Sequence, residues 1–294
     1  MSGKAWTGKT GGTGWMQRTL IGLFRHINPA CMYPIMWVWV LGYVCFAPSG
    51  TRGIYHYWHS RRGYSPLKAI GYLYLNYVEF GHAILDRFAA WAGRRVNIQF
   101  EGIDILHRLT ADDKGFIVLS THIGNQELAG YNIRMPKPMN ALTYVGDTPT
   151  VNVQREKAFA EMGIHIIPVE KDGSHILSMH QALERGEIVS VHGDRMFYGD
   201  KVLRATILGE EASFPAGCFQ FAALEQLPVV TLFMMRDGLD NYTLYVKQLS
   251  DGHYEGQSKQ QRALTLLNAY THAMEEVLQR YPKQWFHFYE FFNQ

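Results

Sequence analysis

His122 and Glu127 lie five residues apart in Phe116 to Gly130, FIVLSTHIGNQELAG, where an apolar run gives way to polar residues. An imidazole beside a carboxylate is the elementary unit of general-base catalysis. The carboxylate fixes the tautomer and stabilises the imidazolium, while the other ring nitrogen takes a proton from a hydroxyl or amine that then attacks a carbonyl. On one continuous helix the two residues would stand about 140° apart and could not meet. The intervening residues break that geometry: Phe116–Ser120 reads as a strand, Gly124 permits a sharp turn, and Asn125 suits a helix N-cap. His122 is then expected on the turn and Glu127 in the first helical turn, a layout that can bring carboxylate to imidazole. Taken alone the spacing favours a plainer reading, a capping histidine and a solvated helix glutamate, because His-x4-Glu recurs by chance.

The elements that would position this pair show an alternating pattern. Short apolar runs, VNIQFEG, FIVLS, ALTYV, IHIIPV, EIVSVH, VVTLFMM and YTLYVKQ, read as strands. Between them fall helical patterns over 125–133, 151–162, 174–184, 215–225 and 257–280. Such alternation predicts an α/β fold with a mainly parallel central sheet flanked by helices. In open sheets of this kind chemistry gathers at the carboxyl ends of strands. Two of those ends, LSTHIGNQE and VSVHGDRMFYGD, carry polar residues and would share a cleft if their strands were neighbours.

Composition narrows the class. Charged residues make up 18% of the 294, against about 25% in ordinary soluble domains, while aromatics reach 14%. The balance fits a protein that meets apolar surface. A net charge of +2 with no long basic run argues against nucleic acid. Cys31, Cys45 and Cys218 are odd in number and widely spaced, which suggests neither a disulfide framework nor a zinc cluster. None of the thirteen histidines stands in an HExxH pattern, and no metal or organic cofactor is expected.

Residues 1–14 are mostly glycine, threonine and lysine with little to pack and are expected to be mobile. Residues 15–50 follow as an expected hydrophobic membrane anchor, either a single span or a helix in the interface with Trp and Tyr at headgroup level. No Lys, Arg, Asp or Glu occurs between Arg25 and Arg52, but Pro29 and Pro34 punctuate the stretch. Its almost wholly apolar core, Cys31 to Pro48, is about the 18 residues at which spanning becomes plausible, and a buried core helix is the alternative. Basic residues flank both ends, so orientation is not readable from charge. Ser65 is placed to cap a long amphipathic helix beginning at Pro66. Residues 51–294 would form the catalytic domain.

The ordered set HIGNQE, then LERGEIVSVHGDRMFYGDKVLRATILGEEASFPAGCFQFAALEQLPVVTLFM, then YPKQWFHFYEFF, resembles the lipid A biosynthesis acyltransferases, the lauroyl/myristoyl branch of the lysophospholipid acyltransferase superfamily. The resemblance runs from about Tyr55 to Phe292. The superfamily signature is histidine, four residues, then an acid, and the lipid A branch uses glutamate, as here. The resemblance thus implies His122 as general base and Glu127 as its orienting partner. It matches Arg155 to the family's downstream arginine and Asp194 to the first acid of a P-D-x-D-x-G segment. Gly193 replaces the proline and Met196 the second acid, which puts part of the acceptor site in doubt.

Arg155 and Arg195, with Lys201 and Arg204, are candidates to meet a phosphate or a phosphopantetheine arm; for Arg195, Lys201 and Arg204 a plain surface charge is the favoured reading. Asp194 is a candidate for substrate binding, with a loop cap as its alternative. Phe214 before Pro215 would join an apolar wall or simply pack in the core. The implied activity is acyl transfer from acyl carrier protein or acyl-CoA to a hydroxyl or amine of a lipid or glycolipid acceptor. The implied location is the bacterial inner membrane, with the site facing the cytoplasm. The rival readings are a thioesterase, with water at the same dyad, and a non-catalytic lipid-binding protein.

Overall fold

The computed structural model describes residues 14–46, 48–144, 149–170, 172–195, 201–288 and 291–292. The chain begins with α1 (Gly14–Phe24), a 3-10 turn (Pro29–Met32), α2 (Tyr33–Phe46) and α3 (Pro48–His56), which runs into a π turn (Tyr57–Arg61). Next come α4 (Pro66–Trp91), β1 (Asn97–Glu101), α5 (Ile103–Ala111), β2 (Phe116–Ser120), α6 (Gln126–Asn132) and β3 (Met139–Thr143). Then follow α7 (Pro149–Glu161), β4 (Ile164–Pro168), α8 (Ser174–Glu184), β5 (Ile188–His192), β6 (Val202–Ile207) and β7 (Glu210–Pro215). The chain finishes with α9 (Ala216–Glu225), β8 (Val229–Arg236), β9 (Asn241–Ser250) and α10 (Lys259–Arg280).

The central sheet has seven strands in the order β1-β9-β8-β2-β5-β3-β4. The run from β8 to β4 is parallel, while β9 turns back antiparallel on β8 and β1 follows β9. The central strands β2 and β8 are apolar and buried on both faces because helices cover both. Ile117 and Leu119 of β2 point into a cluster with α8, α9 and α10, and Phe116 and Val118 into another with α5 and α6. The expected mainly parallel α/β architecture is therefore present.

All seven expected strands and all five expected helices of the body are found. Not foreseen were α5 and the hairpin β6–β7. The hairpin escapes sequence reading because its charged residues blur the alternation. It turns at Leu208 and Gly209, both with positive φ, where an Asn-Gly signal would have announced it. Phe214 consequently sits in β7, fully buried in the core between Phe219, Tyr270 and Phe291.

The N-terminal region departs further from expectation. Among the described residues no helix is long and apolar enough to cross a membrane. The apolar stretch is cut into pieces at its prolines, which lack an N–H for a continuous ladder. Its longest piece, α2, has 14 residues and spans about 21 Å at ~1.5 Å per residue, short of the ~30 Å of a bilayer core. α1 and α2 instead lie on α4, with Phe24 and Tyr33 buried against Leu85 and Phe88. Tyr57 and Trp58 of the π turn are wholly buried in the main core. α4 starts at Pro66 as expected, but the Ser65 side chain makes no capping bond. Residues 1–13, expected to be mobile, and Cys45's side chain lie outside the description.

Two glycines separate backbone strain from crowding. At Gly124, with φ +73°, an added Cβ would lie 2.3 Å from the Met234 carbonyl oxygen, whereas at Gly163, with φ +76°, it would meet nothing. Gly163→Ala is expected to cost about 1 kcal/mol of left-handed strain. Gly124→Ala adds a backbone collision and is expected to cost about 3 kcal/mol in all, read as the shift in urea midpoint against the Gly163→Ala control.

Candidate active site

β2 pairs with β5 in parallel, with Ser120 opposite His192, so the loops after both strands leave the same edge side by side. The ladder runs one step further, the Gly193 N–H donating to the Ser120 carbonyl at 2.9 Å. An added Cβ at Gly193 would stand 3.0 Å from the Tyr270 ring, a tight contact that glycine avoids. The Tyr270 hydroxyl donates to that same carbonyl at 2.7 Å. This spacing delivers Asp194 to the turn that carries His122.

Asp194 is almost wholly enclosed and grips His122 twice. One carboxylate oxygen accepts the His122 backbone N–H at 2.5 Å, and the other lies 2.7 Å from Nδ1 of the ring. The His122 side chain remains 24% exposed, against 2% for Asp194, so the ring is held from behind and open in front. The far side of the turn is fixed by the C-terminal tail. The Phe286 N–H donates to the His122 carbonyl, Ile123 bridges to Trp285, and the Gly124 N–H donates to Gln284. The Gln284 side-chain amide in turn brackets the Arg236 backbone at the end of β8.

Glu127 is in the first turn of α6, as expected, yet its carboxylate is held elsewhere. One oxygen takes Nε and Nη2 of Arg155 at 2.9 and 2.8 Å. The other takes the Tyr131 hydroxyl at 3.0 Å and Arg87 at 3.4 Å. Glu127 makes no hydrogen bond to the His122 ring. The expected contact between His122 and Glu127 is thus not made; the carboxylate in contact with the His122 ring is that of Asp194. The helix axis of α6 turns Glu127 toward α4 and α7, where two guanidinium groups outcompete one imidazole. Asn125 stands at the N-cap position without a capping bond, its amide donating instead to the Ala83 carbonyl of α4.

The electrostatics follow from these contacts. Burial would raise the Glu127 carboxyl, but the Arg155 and Arg87 charges and the Tyr131 hydroxyl bring it down to about 2. Burial opposes Asp194 in the same way, and the facing His122, with smaller help from His192, holds it at about 2. The His122 ring is pushed below its ordinary range by burial and by the Arg195 cation, with Asp194 pulling the other way. It is therefore neutral, and able to accept a proton, at neutral pH.

Of the sequence candidates, His122, Asp194 and Arg195 come together around the turn, and Arg155 joins Glu127 beside them. Arg204 pairs with Glu211 across the β6–β7 hairpin on the surface, and Lys201 is exposed. Met196 lies outside the described residues. Sequence reasoning did not single out His192, whose ring is 4.7 Å from that of His122, centroid to centroid. It also missed Arg87 and Tyr131. Tyr131 stands one helical turn beyond Glu127 and was legible from that spacing; Arg87, forty residues upstream, left no local signal.

A model of the bacterial lipid A biosynthesis acyltransferase family matches residues 76–294. The chain belongs to this family. In general terms it is thus a lipid A-type acyltransferase, taking an acyl donor and a lipid acceptor. No curated protein is similar enough to the chain to count as a match.

Both depressed carboxyls favour the folded state only where they are ionised. Their contribution is complete above the unfolded value of about 4 and is lost as pH falls through about 2. Stability is therefore expected to decline steadily from pH 5 toward pH 2. Arg155→Leu, which strands part of the Glu127 charge, is expected to cost about 3 kcal/mol at pH 7, followed by urea denaturation, and much less at pH 2.5.

Proposed function

We propose that the chain is a membrane-associated O- or N-acyltransferase in which His122 is the general base. Acyl carrier protein or coenzyme A presents the acyl chain as a thioester, and a lipid-like molecule presents a hydroxyl or amine. The observation that carries this reading is the half-open His122 ring, held through Nδ1 with Nε2 left for substrate. Nε2 takes the acceptor proton as the acceptor oxygen or nitrogen attacks the thioester carbonyl. The C–S bond then breaks, and the departing thiolate recovers that proton from the imidazolium. Arg195, close enough to His122 to depress its basicity, is the candidate for stabilising the oxyanion. Arg155, tied to Glu127, is a candidate to meet a phosphate of donor or acceptor.

Membrane contact is read from the N-terminal layer. α2 exposes Ile35, Trp37, Val38, Trp39 and Leu41, with Val38 69% and Trp39 62% accessible. Leu67 and Ile70 of α4 are also exposed and share a face with Tyr74, which packs on Trp37. An apolar surface of this size on short helices suits a helix lying in the lipid interface, with its aromatics at headgroup depth. The interfacial form of the anchor is proposed on that basis. A site facing the bacterial cytoplasm, where both thioester donors are made, is part of the same proposal.

Two measurements test the reading. Purified protein with an acyl thioester and a total lipid extract is expected to yield acylated lipid, and His122→Ala to lower the rate by at least about 10³-fold. Accumulation of free acid in place of acylated lipid would turn the reading to a thioesterase. Val38→Glu with Trp39→Glu is expected to weaken flotation with lipid vesicles by roughly tenfold or more, without loss of folded structure.

A further inference from the structure

The superfamily pattern assigns the acid five residues after the histidine as its partner, but the contacts at this site divide the two carboxylates differently. We propose that Asp194 is the positioning residue for His122, and that Glu127 serves to hold the Arg87 and Arg155 guanidinium groups in place. The proposal deepens the general-base reading and rests on it for the catalytic role of His122.

Three observations support the division. Asp194 contacts both the ring and the backbone of His122, at 2.7 and 2.5 Å, so a single carboxylate sets the position of the turn and the rotation of the imidazole. It is 2% exposed, whereas Glu127 is 28% exposed, and a charge withdrawn from solvent acts on its partner with less screening. Finally, both Glu127 oxygens are occupied by donors, two from Arg155, one from Arg87 and one from Tyr131. To reach Nδ1 it would have to abandon charge-assisted bonds to two cations and displace Asp194 from a shorter one.

The roles lead to opposite signatures. An ionised Asp194 accepts Nδ1–H, which keeps the proton off Nε2 and leaves that nitrogen free to act as base. In Asp194→Asn the amide oxygen can still accept the His122 backbone N–H, and the amide nitrogen then faces Nδ1 as a donor. The ring is driven to the Nε2–H tautomer, which cannot take a proton from the acceptor. Glu127, placed between α4, α6 and α7, acts on the arrangement of positive charge beside the base.

The pairing is tested without substrate by following the His122 ring with 15N NMR across pH, in wild type, Asp194→Asn and Glu127→Gln. Asp194→Asn is expected to exchange the tautomer and move the His122 titration to lower pH, because an anion that favours the imidazolium is gone. Glu127→Gln is expected to keep the tautomer and shift the titration less. In the acyl-transfer assay, Asp194→Asn is expected to lower kcat by about 10³- to 10⁴-fold with KM little changed. Glu127→Gln is expected to act chiefly through KM. If Asp194→Asn does not fold, Asp194→Glu supplies the test: it keeps the charge, should keep the wild-type tautomer and should retain part of the rate. A tautomer exchange in Glu127→Gln, or a wild-type tautomer in Asp194→Asn, overturns the proposal. A wild-type acyl-transfer rate in His122→Ala, with the tautomer results as expected, would instead overturn the general-base reading and leave the pairing standing.

Discussion

The parallel register between β2 and β5 is the constraint from which the rest of the site follows. Backbone hydrogen bonds place Ser120 opposite His192, and the next step of the ladder brings Gly193 to Ser120. A shift of one residue would turn Asp194 to the other side of the chain and separate it from His122. The register is itself secured from both faces, by Ile117, Leu119, Val189 and Val191 on one side and Phe116, Val118 and Ile188 on the other. Tyr270 of α10 closes the end of the ladder by donating to Ser120 while packing on Gly193. The hydrophobic core thus reaches the chemistry through backbone geometry, with few side chains between.

A second layer of order comes from α4, which joins the apolar N-terminal helices to the site. Arg87 of this helix meets Glu127. Its neighbour Asp86 accepts hydrogen bonds from the hydroxyls of Tyr33, at the start of α2, and Tyr242, at the start of β9, with Arg236 close by. Burial raises the Asp86 carboxyl, opposed by those two hydroxyls and by Arg236. Adjacent residues on one helix therefore fasten the apolar N-terminal layer and the charged cluster beside His122. The surface proposed to meet lipid and the proposed base are thus joined through one helix.

Much of the site's chemistry was legible in local sequence. Gly124 marked a turn because only glycine tolerates φ +73° against the Met234 carbonyl. The same turn, with His122 on it and Glu127 in the first helical turn, followed from that glycine and from the strand before it. Not legible was the partner of each charged group. Asp194 and His122 are 72 residues apart, and Arg87 and Glu127 are 40 apart, so nothing in local spacing could pair them. The pattern of histidine and glutamate suggested a dyad because it encodes proximity along the chain, while hydrogen-bond competition is decided in space.

By itself, then, the sequence determined which segments are buried on both faces, where the chain turns, and which family the ordered motifs resemble. These are matters of side-chain periodicity, backbone conformation and local polarity. The tertiary structure decided that the apolar N-terminus folds as short helices on α4, because prolines interrupt its ladder and Leu85 and Phe88 offer it a surface. It also decided which carboxylate meets the imidazole. That choice depends on strand order and register, which place Asp194 behind the ring and leave Glu127 to the arginines.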